Sequence, residues 1–211
     1  MLKQFHFEIT RAALDGRFSP RALEIISAAN LRQDALPKQI GHNEYHFYNN
    51  AMEASHRYIS EQRGYVLASL FMPGSSAAWS AFGRLIHAAQ DFYAHTNYVP
   101  LWLSRYKNAT PPPSSEIDPV EKSLLQSPGL HSGRLYYPLE ILCLIPAIRK
   151  LIMSTPFGMP RNSHAWMNLD SPKHNPHFEY ARAAAVKRTQ HEFEILYKLL
   201  PPEMFSWFID L

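Results

Sequence analysis

The stretch of residues 84–98, RLIHAAQDFYAHTNY, carries His87, Asp91 and His95 at intervals of four residues. Four residues of an α-helix rotate the chain by about 400°, which is one full turn plus about 40°. The three side chains therefore lie along one stripe of the helix surface, which extends over about 12 Å of the helix axis. Imidazoles and carboxylates bind divalent metals, and a central carboxylate can bridge two ions. A buried helix with two hydrogen-bonded histidines would show the same pattern. Three such groups on one stripe favour the metal site.

The composition predicts one all-α domain. The chain has 211 residues, of which 46% are hydrophobic, which is enough for a substantial core. Glycine occurs only 8 times, and alternating strand patterns are scarce. The net charge of +3 is weak and dispersed, which argues against nucleic acid as the main partner. The chain has 11 histidines but only Cys143 as a cysteine, so zinc would bind through imidazole and carboxylate groups.

The N-terminal sequence, MLKQFHFEITRAAL, lacks the apolar segment of a signal peptide. No window reaches the roughly 18 uninterrupted apolar residues of a membrane span. We therefore expect no transmembrane segment and a cytoplasmic location, while export by a route that the sequence does not encode stays open.

The helical periodicity predicts a single domain over residues 1–211, formed as a multi-helix bundle. The tract NATPPPSSEIDPVEKSLLQS, residues 108–127, is predicted to be a Pro/Ser-rich surface insertion. The apolar segment 204–211 is expected to dock on the body. The predicted helices span residues 4–15, 20–34, 49–71, 77–98, 138–153 with a possible kink at Pro146, and 177–200, and the predicted loops span 35–44 and 155–176.

Further metal-type side chains lie outside the central helix. His6 is flanked by aromatic residues and could equally be a core histidine. Asp34 ends the second helix, where the helix dipole disfavours an acid unless a cation lies nearby. His42 and His46 lie in the aromatic segment HNEYHFYNN, and either could be a ligand or a packed histidine.

The segment 164–179 is dense in possible ligands. Asp170 precedes Ser-Pro and could simply form a turn, and Glu179 lies in a first helical turn, where the dipole favours an acid anyway. At least one of the histidines here is predicted to bind metal. The candidates are His164, Asp170, His174, His177 and Glu179.

Four stretches resemble the zinc-dependent phospholipase C family: HFEITRAAL, FSPRALEIISAANLRQD, HFYN and LIHAAQDFYAHTN. The resemblance looks closest to the branch of the Het-C heterokaryon-incompatibility proteins, and the P1/S1-type nucleases are more distantly similar. It covers most of the chain, leaves residues 108–160 unmatched, and is most specific in QDFYAHTN. It implies a helical fold around three zinc ions held by His and Asp/Glu, and we expect two or three zinc ions in this chain.

The resemblance also implies a ligand set. Asp91 would bridge two ions, and Asp34 would bind metal and act as general base. The family closes its last site with a His and an acid four residues later, which this chain matches poorly. We assign that site to His164 and Glu179, with His174 and His177 as alternatives. The implied metal ligands are His6, Asp34, His46, His87, Asp91, His95, His164 and Glu179.

Two departures from the family pattern stand out. The secreted members bind one zinc through an N-terminal tryptophan, whereas this chain reads Met-Leu-Lys-Gln-Phe, so we expect that metal to be absent or to be bound by other groups. The acid of the family's HF-x-D motif is Asn49 here, so a contact behind the ligands is expected to differ.

The function that the resemblance implies is zinc-dependent hydrolysis of a phosphodiester, including phospholipid, by a water activated at the zinc cluster. One alternative is a non-catalytic, zinc-stabilised recognition protein of the Het-C type. A P1-like nuclease is a third reading, with aromatic residues available to stack bases. Since ligand imidazoles must be neutral, metal loading is expected to fail at mildly acidic pH.

Overall fold

The computed structural model describes residues 1–71, 73–107, 109–143, 145–155, 158–173 and 175–211. Over these ranges the chain forms α-helices, short 3-10 helices and two isolated β-bridges, without a β-strand. The prediction of an all-α fold is confirmed. In chain order the helices are α1 (Lys3–Leu14), α2 (Pro20–Leu31), α3 (Leu36–Gln39), α4 (Asn43–His46), α5 (Met52–Ser69), α6 (Ser76–His95), α7 (Tyr98–Leu103), α8 (Lys122–Leu125), α9 (Leu139–Leu142), α10 (Pro146–Ser154), α11 (His164–Met167), α12 (Phe178–Leu199) and α13 (Pro202–Ile209).

Helix α6 forms the centre of the bundle. Its sequence, SAAWSAFGRLIHAAQDFYAH, is rich in alanine, a strong helix former. Of its 20 residues, 16 are buried, which is the behaviour of a helix surrounded by others on most sides. Helices α2, α5 and α12 pack against it. Its polar side chains therefore lie inside the protein rather than in solvent.

Gly83 sets the close approach of α2 to α6. A Cβ at this position would lie 2.3 Å from the carbonyl oxygen of Ile26 and 2.8 Å from the Cβ of Ala29. The absence of a side chain therefore lets the two helices approach more closely than any larger residue would allow. This contact brings Asn30, and Asp34 just beyond α2, towards the middle of α6.

The two ends of the chain complete the bundle. Helix α1 packs on α2 and α12, with the rings of Phe5 and Phe178 4.5 Å apart. In α13, the buried Phe208 packs against Phe18 and Phe82, so the apolar tail docks as the sequence predicts. None of the helices described is both long and apolar enough to cross a bilayer.

Several boundaries differ from the predictions. The single helix expected over 138–153 is two helices, α9 and α10, and α10 begins at Pro146, whose nitrogen has no hydrogen to donate within a helix. The predicted loops contain α3 and α11. The insertion lies against α12, where its Ile117 is fully buried and the ammonium of Lys187 donates to two of its carbonyls.

Candidate metal centre

The carboxylate of Asp91 is the centre of a buried histidine cluster. Its Oδ1 lies 3.1 Å from Nε2 of His6. Its Oδ2 lies 2.9 Å from Nδ1 of His46 and 3.2 Å from Nε2 of His87. All four side chains have 0% exposure. Helices α1, α4 and α6 therefore place three imidazoles around one carboxylate.

The ligand atoms form three groups, and within each group they lie within 4.8 Å of one another. His87 belongs to two of the groups, so the groups adjoin. These buried His/Asp clusters could hold metal ions. The groups are His6, Asp34 and His87; His46, His87 and Asp91; and His95, His164 and Asp170.

Hydrogen bonds to the far side of the rings fix the protonated nitrogen of three histidines. Nδ1 of His6 lies 2.7 Å from Oε1 of Gln90, and Nδ1 of His87 lies 3.1 Å from Oδ1 of Asn30. Nδ1 of His95 lies 2.8 Å from the carbonyl oxygen of His46. Because these oxygens can only accept, each Nδ1 carries a hydrogen, so Nε2 is the nitrogen that presents a lone pair to the cluster when the ring is neutral.

The orientation of the two amides follows from their other partners. The hydroxyl of Thr189 donates to the carbonyl of Ala185, so it accepts from Nε2 of Gln90 at 3.1 Å. Nδ2 of Asn30 donates both to Oγ1 of Thr10, at 3.1 Å, and to Oε1 of Gln90, at 3.1 Å. The carbonyl ends of both amides must then face the histidines. Gln90, Asn30, Thr10 and Thr189 are all fully buried, and we call them the amide network.

The residues fit a divalent cation. Nε2 of His6 and Nε2 of His46 are buried without a hydrogen-bond partner among the described residues. Oδ2 of Asp34 and Nε2 of His164 are also buried without a hydrogen-bond partner in the described part of the chain. Such unpaired buried atoms are costly in a protein and suit a ligand set.

The pKa shifts favour the ionisation states that a metal requires. Burial, followed by the proximity of His6, lowers the pKa of His87 to about 3, although Asp91 opposes this shift. Burial also lowers the pKa of His95. Burial by itself would raise the pKa of Asp91, but its interactions with His95 and with the amine of Met1, in that order, hold it well below its usual value. At neutral pH the neutral imidazoles of His87 and His95 therefore lie beside the ionised carboxylate of Asp91.

The third group forms where two segments attach to the end of α6. The last carbonyls of a helix have no partner within it. Here the amide of Leu169 donates to the carbonyl of Ala94 at 2.8 Å, and the amide of Gly133 donates to that of His95 at 3.0 Å. The first contact places Asp170 so that its Oδ1 lies 2.9 Å from Nε2 of His95.

His164 reaches this group through a close backbone contact. A Cβ at Gly133 would lie 2.6 Å from Cα of His164, so only glycine fits there. Nε2 of His164 lies 3.7 Å from Oδ2 of Asp170, and its Nδ1 lies 3.7 Å from Oε2 of Glu140. Glu140 therefore lies behind His164 within ion-pair distance, and its other carboxylate oxygen accepts a hydrogen bond from the amide of Ala165.

The amino nitrogen of Met1 also lies at this group. It is 2.6 Å from Oδ1 of Asp91 and 3.1 Å from Oδ1 of Asp170. Burial opposes its charge, but the two carboxylates, Asp170 first, raise the pKa of this amine to about 11. The amine of Met1 therefore contacts carboxylates of two of the three groups.

A turn of unusual backbone geometry supports His46. Phe47, Asn49 and Asn50 all have positive φ angles, between 54° and 58°. Oδ1 of Asn49 accepts a hydrogen bond from the amide of Leu135 at 2.8 Å. The turn that follows His46 is thus hydrogen-bonded to the segment around Leu135, which lies beside His164.

Seven of the eight predicted ligands meet in the three groups, and Glu179 does not. The side chain of Glu179 is 52% exposed and pairs with Arg182. The acid beside His95 and His164 is Asp170, which the sequence left open as a turn residue. His177 is exposed at the start of α12, and His174 lies outside the described residues. His42 pairs with Glu44 instead of joining the cluster.

Residues 7–122, more than half of the chain, match the family described as the VWA7 N-terminal domain. The chain belongs to this family. The matched region contains Asp34, His46 and the ligand stripe of α6, whereas His6, His164 and Asp170 lie outside it. Comparison with curated proteins and with solved structures found no match.

Proposed function

We propose that this protein is a zinc-dependent hydrolase of phosphodiesters, similar in chemistry to phospholipase C. The observation that carries the proposal is the convergence of three buried imidazoles, those of His6, His46 and His87, on the buried carboxylate of Asp91. The similarity of LIHAAQDFYAHTN to the zinc phospholipases supports the same reading and favours zinc as the metal. The family match itself names no reaction.

The first and second groups would hold zinc through His6, Asp34, His46, His87 and Asp91, and the third through His95, His164 and Asp170. When bound, zinc stabilises charge on phosphoryl oxygens and lowers the pKa of a water towards about 7. The amide network keeps His6 and His87 in the tautomer that presents Nε2 to the site.

Asp34 is the residue suited to accept a proton. Its Oδ2 has no hydrogen-bond partner among the described residues, while its Oδ1 lies 3.9 Å from Nε2 of His87. The attacking water would give its proton to this carboxylate as the new P–O bond forms and the bond to the leaving alcohol breaks in line. The products are an alcohol, which takes up a proton, and a phosphate monoester.

Access to the phosphorus is possible from the third group. Asp91 and its three histidines are fully buried, but His164 and Asp170 are 16% and 13% exposed. A cavity of about 600 Å³ opens on these two side chains. A substrate would therefore approach beside His164, with Asp91 behind it.

The test compares zinc-loaded with zinc-free protein on bis-p-nitrophenyl phosphate, phosphatidylcholine and single-stranded DNA. We expect turnover of at least one substrate only with zinc, and a loss of at least about 100-fold in Asp34→Asn, as for other general bases. Asp15→Asn, at a surface carboxylate paired with Arg11, is the matched control and should keep full activity.

Two outcomes would overturn the proposal. The first is a purified protein that contains no metal after zinc addition at neutral pH. The second is a zinc-loaded protein that hydrolyses none of the three substrates, in which case an Asp91→Ala variant that fails to fold would indicate a structural, Het-C-like role for the metal. Cleavage of DNA alone would instead indicate the nuclease.

A further inference from the structure

Two cavities of opposite character meet at His164. The larger, about 600 Å³, contains the cations Arg149, Lys150 and Lys173, and we call it the cationic cavity. The smaller, about 250 Å³, is mainly apolar, and we call it the apolar cavity. Glu140 and His164 line both. A ligand whose central group lies at the third metal group could therefore extend into each cavity.

The positive charges of the cationic cavity are available to a ligand. Arg149 is held at the wall, where its guanidinium donates to the carbonyl of Ala165 at 2.8 Å. Among the described residues no carboxylate forms a salt bridge with Arg149, Lys150 or Lys173. The acids that line the cavity, Glu140 and Asp170, lie instead beside His164.

These cations exceed what one phosphodiester needs. A phosphodiester carries a single negative charge, which the metal ions at the third group would neutralise. The adjoining cavity holds three further cations against two lining carboxylates, Glu140 and Asp170, and this net positive charge suits a second anionic group. Arginine and lysine are the side chains that bind phosphate or carboxylate in such positions.

The apolar cavity exposes large hydrophobic side chains at the edge of the same site. Leu36 is 69% exposed, Ile40 62%, Tyr137 57% and Ile141 56%, and all four line this cavity. They come from two separate segments of the chain, before α4 and around α9. A cluster of exposed apolar side chains usually marks a binding surface. Three of these four side chains are aliphatic, so the cavity beside His164 suits a hydrocarbon arm of the substrate.

We propose that the site selects an amphiphilic phosphodiester whose polar arm carries a second negative charge. That charge lies in the cationic cavity near Lys150 and Lys173, and the hydrocarbon arm lies in the apolar cavity. The inference rests on the proposed function only for the position of the phosphodiester at the metal group.

The experiment measures binding, so it is readable without turnover. Three phosphonate probes, in which a CH₂ group replaces the ester oxygen of the scissile bond, are titrated calorimetrically into the zinc-loaded protein. The first is the analogue of dihexanoyl phosphatidylinositol 4-phosphate, the second that of dihexanoyl phosphatidylcholine, and the third the phosphorylated headgroup without acyl chains. We expect the first probe to bind at least about 10-fold more tightly than either other probe, since it alone uses both cavities.

Variants test the contributions of the charged arm and of the hydrocarbon arm to binding separately. Charge reversal by Lys150→Glu with Lys173→Glu should abolish the preference for the first probe over the phosphatidylcholine analogue. Lys122→Glu with Lys198→Glu, at exposed lysines away from both cavities, is the matched control and should leave the preference intact. Leu36→Ser with Ile141→Ser should weaken both acylated probes but not the headgroup, whereas the exposed Leu199→Ser should change none.

Equal affinity for the two acylated probes would overturn the inference of a second negative charge. Equal affinity for the first probe and the free headgroup would show that the ligand is a soluble phosphate ester and would overturn the apolar arm. Either result leaves zinc-dependent turnover of the simpler substrates intact, so failure of this inference is distinguishable from failure of the proposed function.

Discussion

Oε1 of Gln90 lies 2.7 Å from Nδ1 of His6, inside the protein and directly behind a candidate metal ligand. The same oxygen accepts a hydrogen bond from Asn30, whose own carbonyl oxygen faces His87. One buried glutamine thus links the histidines of α1 and α6. Since neither amide can bind a proton at neutral pH, the arrangement of the two rings does not depend on ionisation of the residues behind them.

Replacing Gln90 by methionine should weaken zinc binding. The variant removes the acceptor of the His6 Nδ1–H group, so the ring is free to adopt the other tautomer, which does not present Nε2. Loss of such a supporting hydrogen bond commonly lowers metal affinity by about 10- to 100-fold. Competition with a chelator of known zinc affinity measures the change.

Gln90→Glu provides the comparison, because a glutamate keeps the acceptor while losing the donor to Thr189. It should retain more of the zinc affinity than Gln90→Met. Equal losses in both variants, with the fold intact by circular dichroism, would mean that the glutamine acts only through packing.

The assignment of Asp170 to the third metal group and the earlier assignment of Glu179 lead to opposite predictions. The structure places Asp170 beside His95 and His164, and it leaves Glu179 exposed with Arg182. Asp170→Asn should therefore reduce the zinc content and, where turnover is present, lower it by about 10-fold or more. Glu179→Gln should leave both unchanged. Metal analysis of the two variants decides between the acids, and a loss of zinc in Glu179→Gln alone would restore the sequence-based assignment.

The sequence shows the stripe of α6 because that pattern is local. His87, Asp91 and His95 follow from helical periodicity alone, and the similarity to a known family adds His6, Asp34 and His46. Asp170 has no such signal. Its sequence context, Asp-Ser-Pro, is that of a turn, and its position depends on a hydrogen bond between Leu169 and the end of α6, 75 residues away in the chain.

The amide network could not be predicted from the sequence, for a related reason. Asn30 and Gln90 read as ordinary polar residues on helices that have apolar faces. Their contact requires the close packing of α2 on α6, which in turn requires that Gly83 has no side chain. The helix content was predictable from the sequence, but the helix ends near proline and near positive-φ residues were not. Helix α10 begins at Pro146 instead of continuing from residue 138, and α5 begins at Met52 instead of near Asn49.

Zinc-free protein should lose stability as the pH falls below about 6.5. The pKa of His87 is about 3 in the folded protein, whereas an exposed histidine has a pKa of about 6.5. Between these values the unfolded chain binds a proton that the folded chain does not, so the free energy of unfolding falls by up to about 1.4 kcal/mol per pH unit for this group. His95 acts in the same direction.

Urea unfolding of the zinc-free protein at pH 7, 6 and 5 measures this dependence. Asp91 and Asp170 do not affect the comparison between pH 7 and 5. Their pKa values are so low that their contributions to the free energy of unfolding are lost only in stronger acid. A free energy of unfolding that stays constant or rises from pH 7 to 5 would contradict the burial of neutral histidines. In the zinc-loaded protein the low pKa of His87 should also make zinc release extend over a wider and more acidic pH range than the mildly acidic pH expected from the sequence.

Gly83→Ala tests whether the contact between α2 and α6 supports the site. The new methyl group would collide with the backbone of Ile26, and overpacking of this kind typically costs about 1–3 kcal/mol of stability. Because the collision moves Asn30 and Asp34 away from His87, zinc affinity should fall as well. Gly64→Ala is the matched control, since no atom lies within 4 Å of a Cβ there and alanine favours a helix by up to about 1 kcal/mol. Chemical denaturation with chelator competition on both variants should therefore give changes of opposite sign in stability, with the loss of zinc affinity confined to Gly83→Ala.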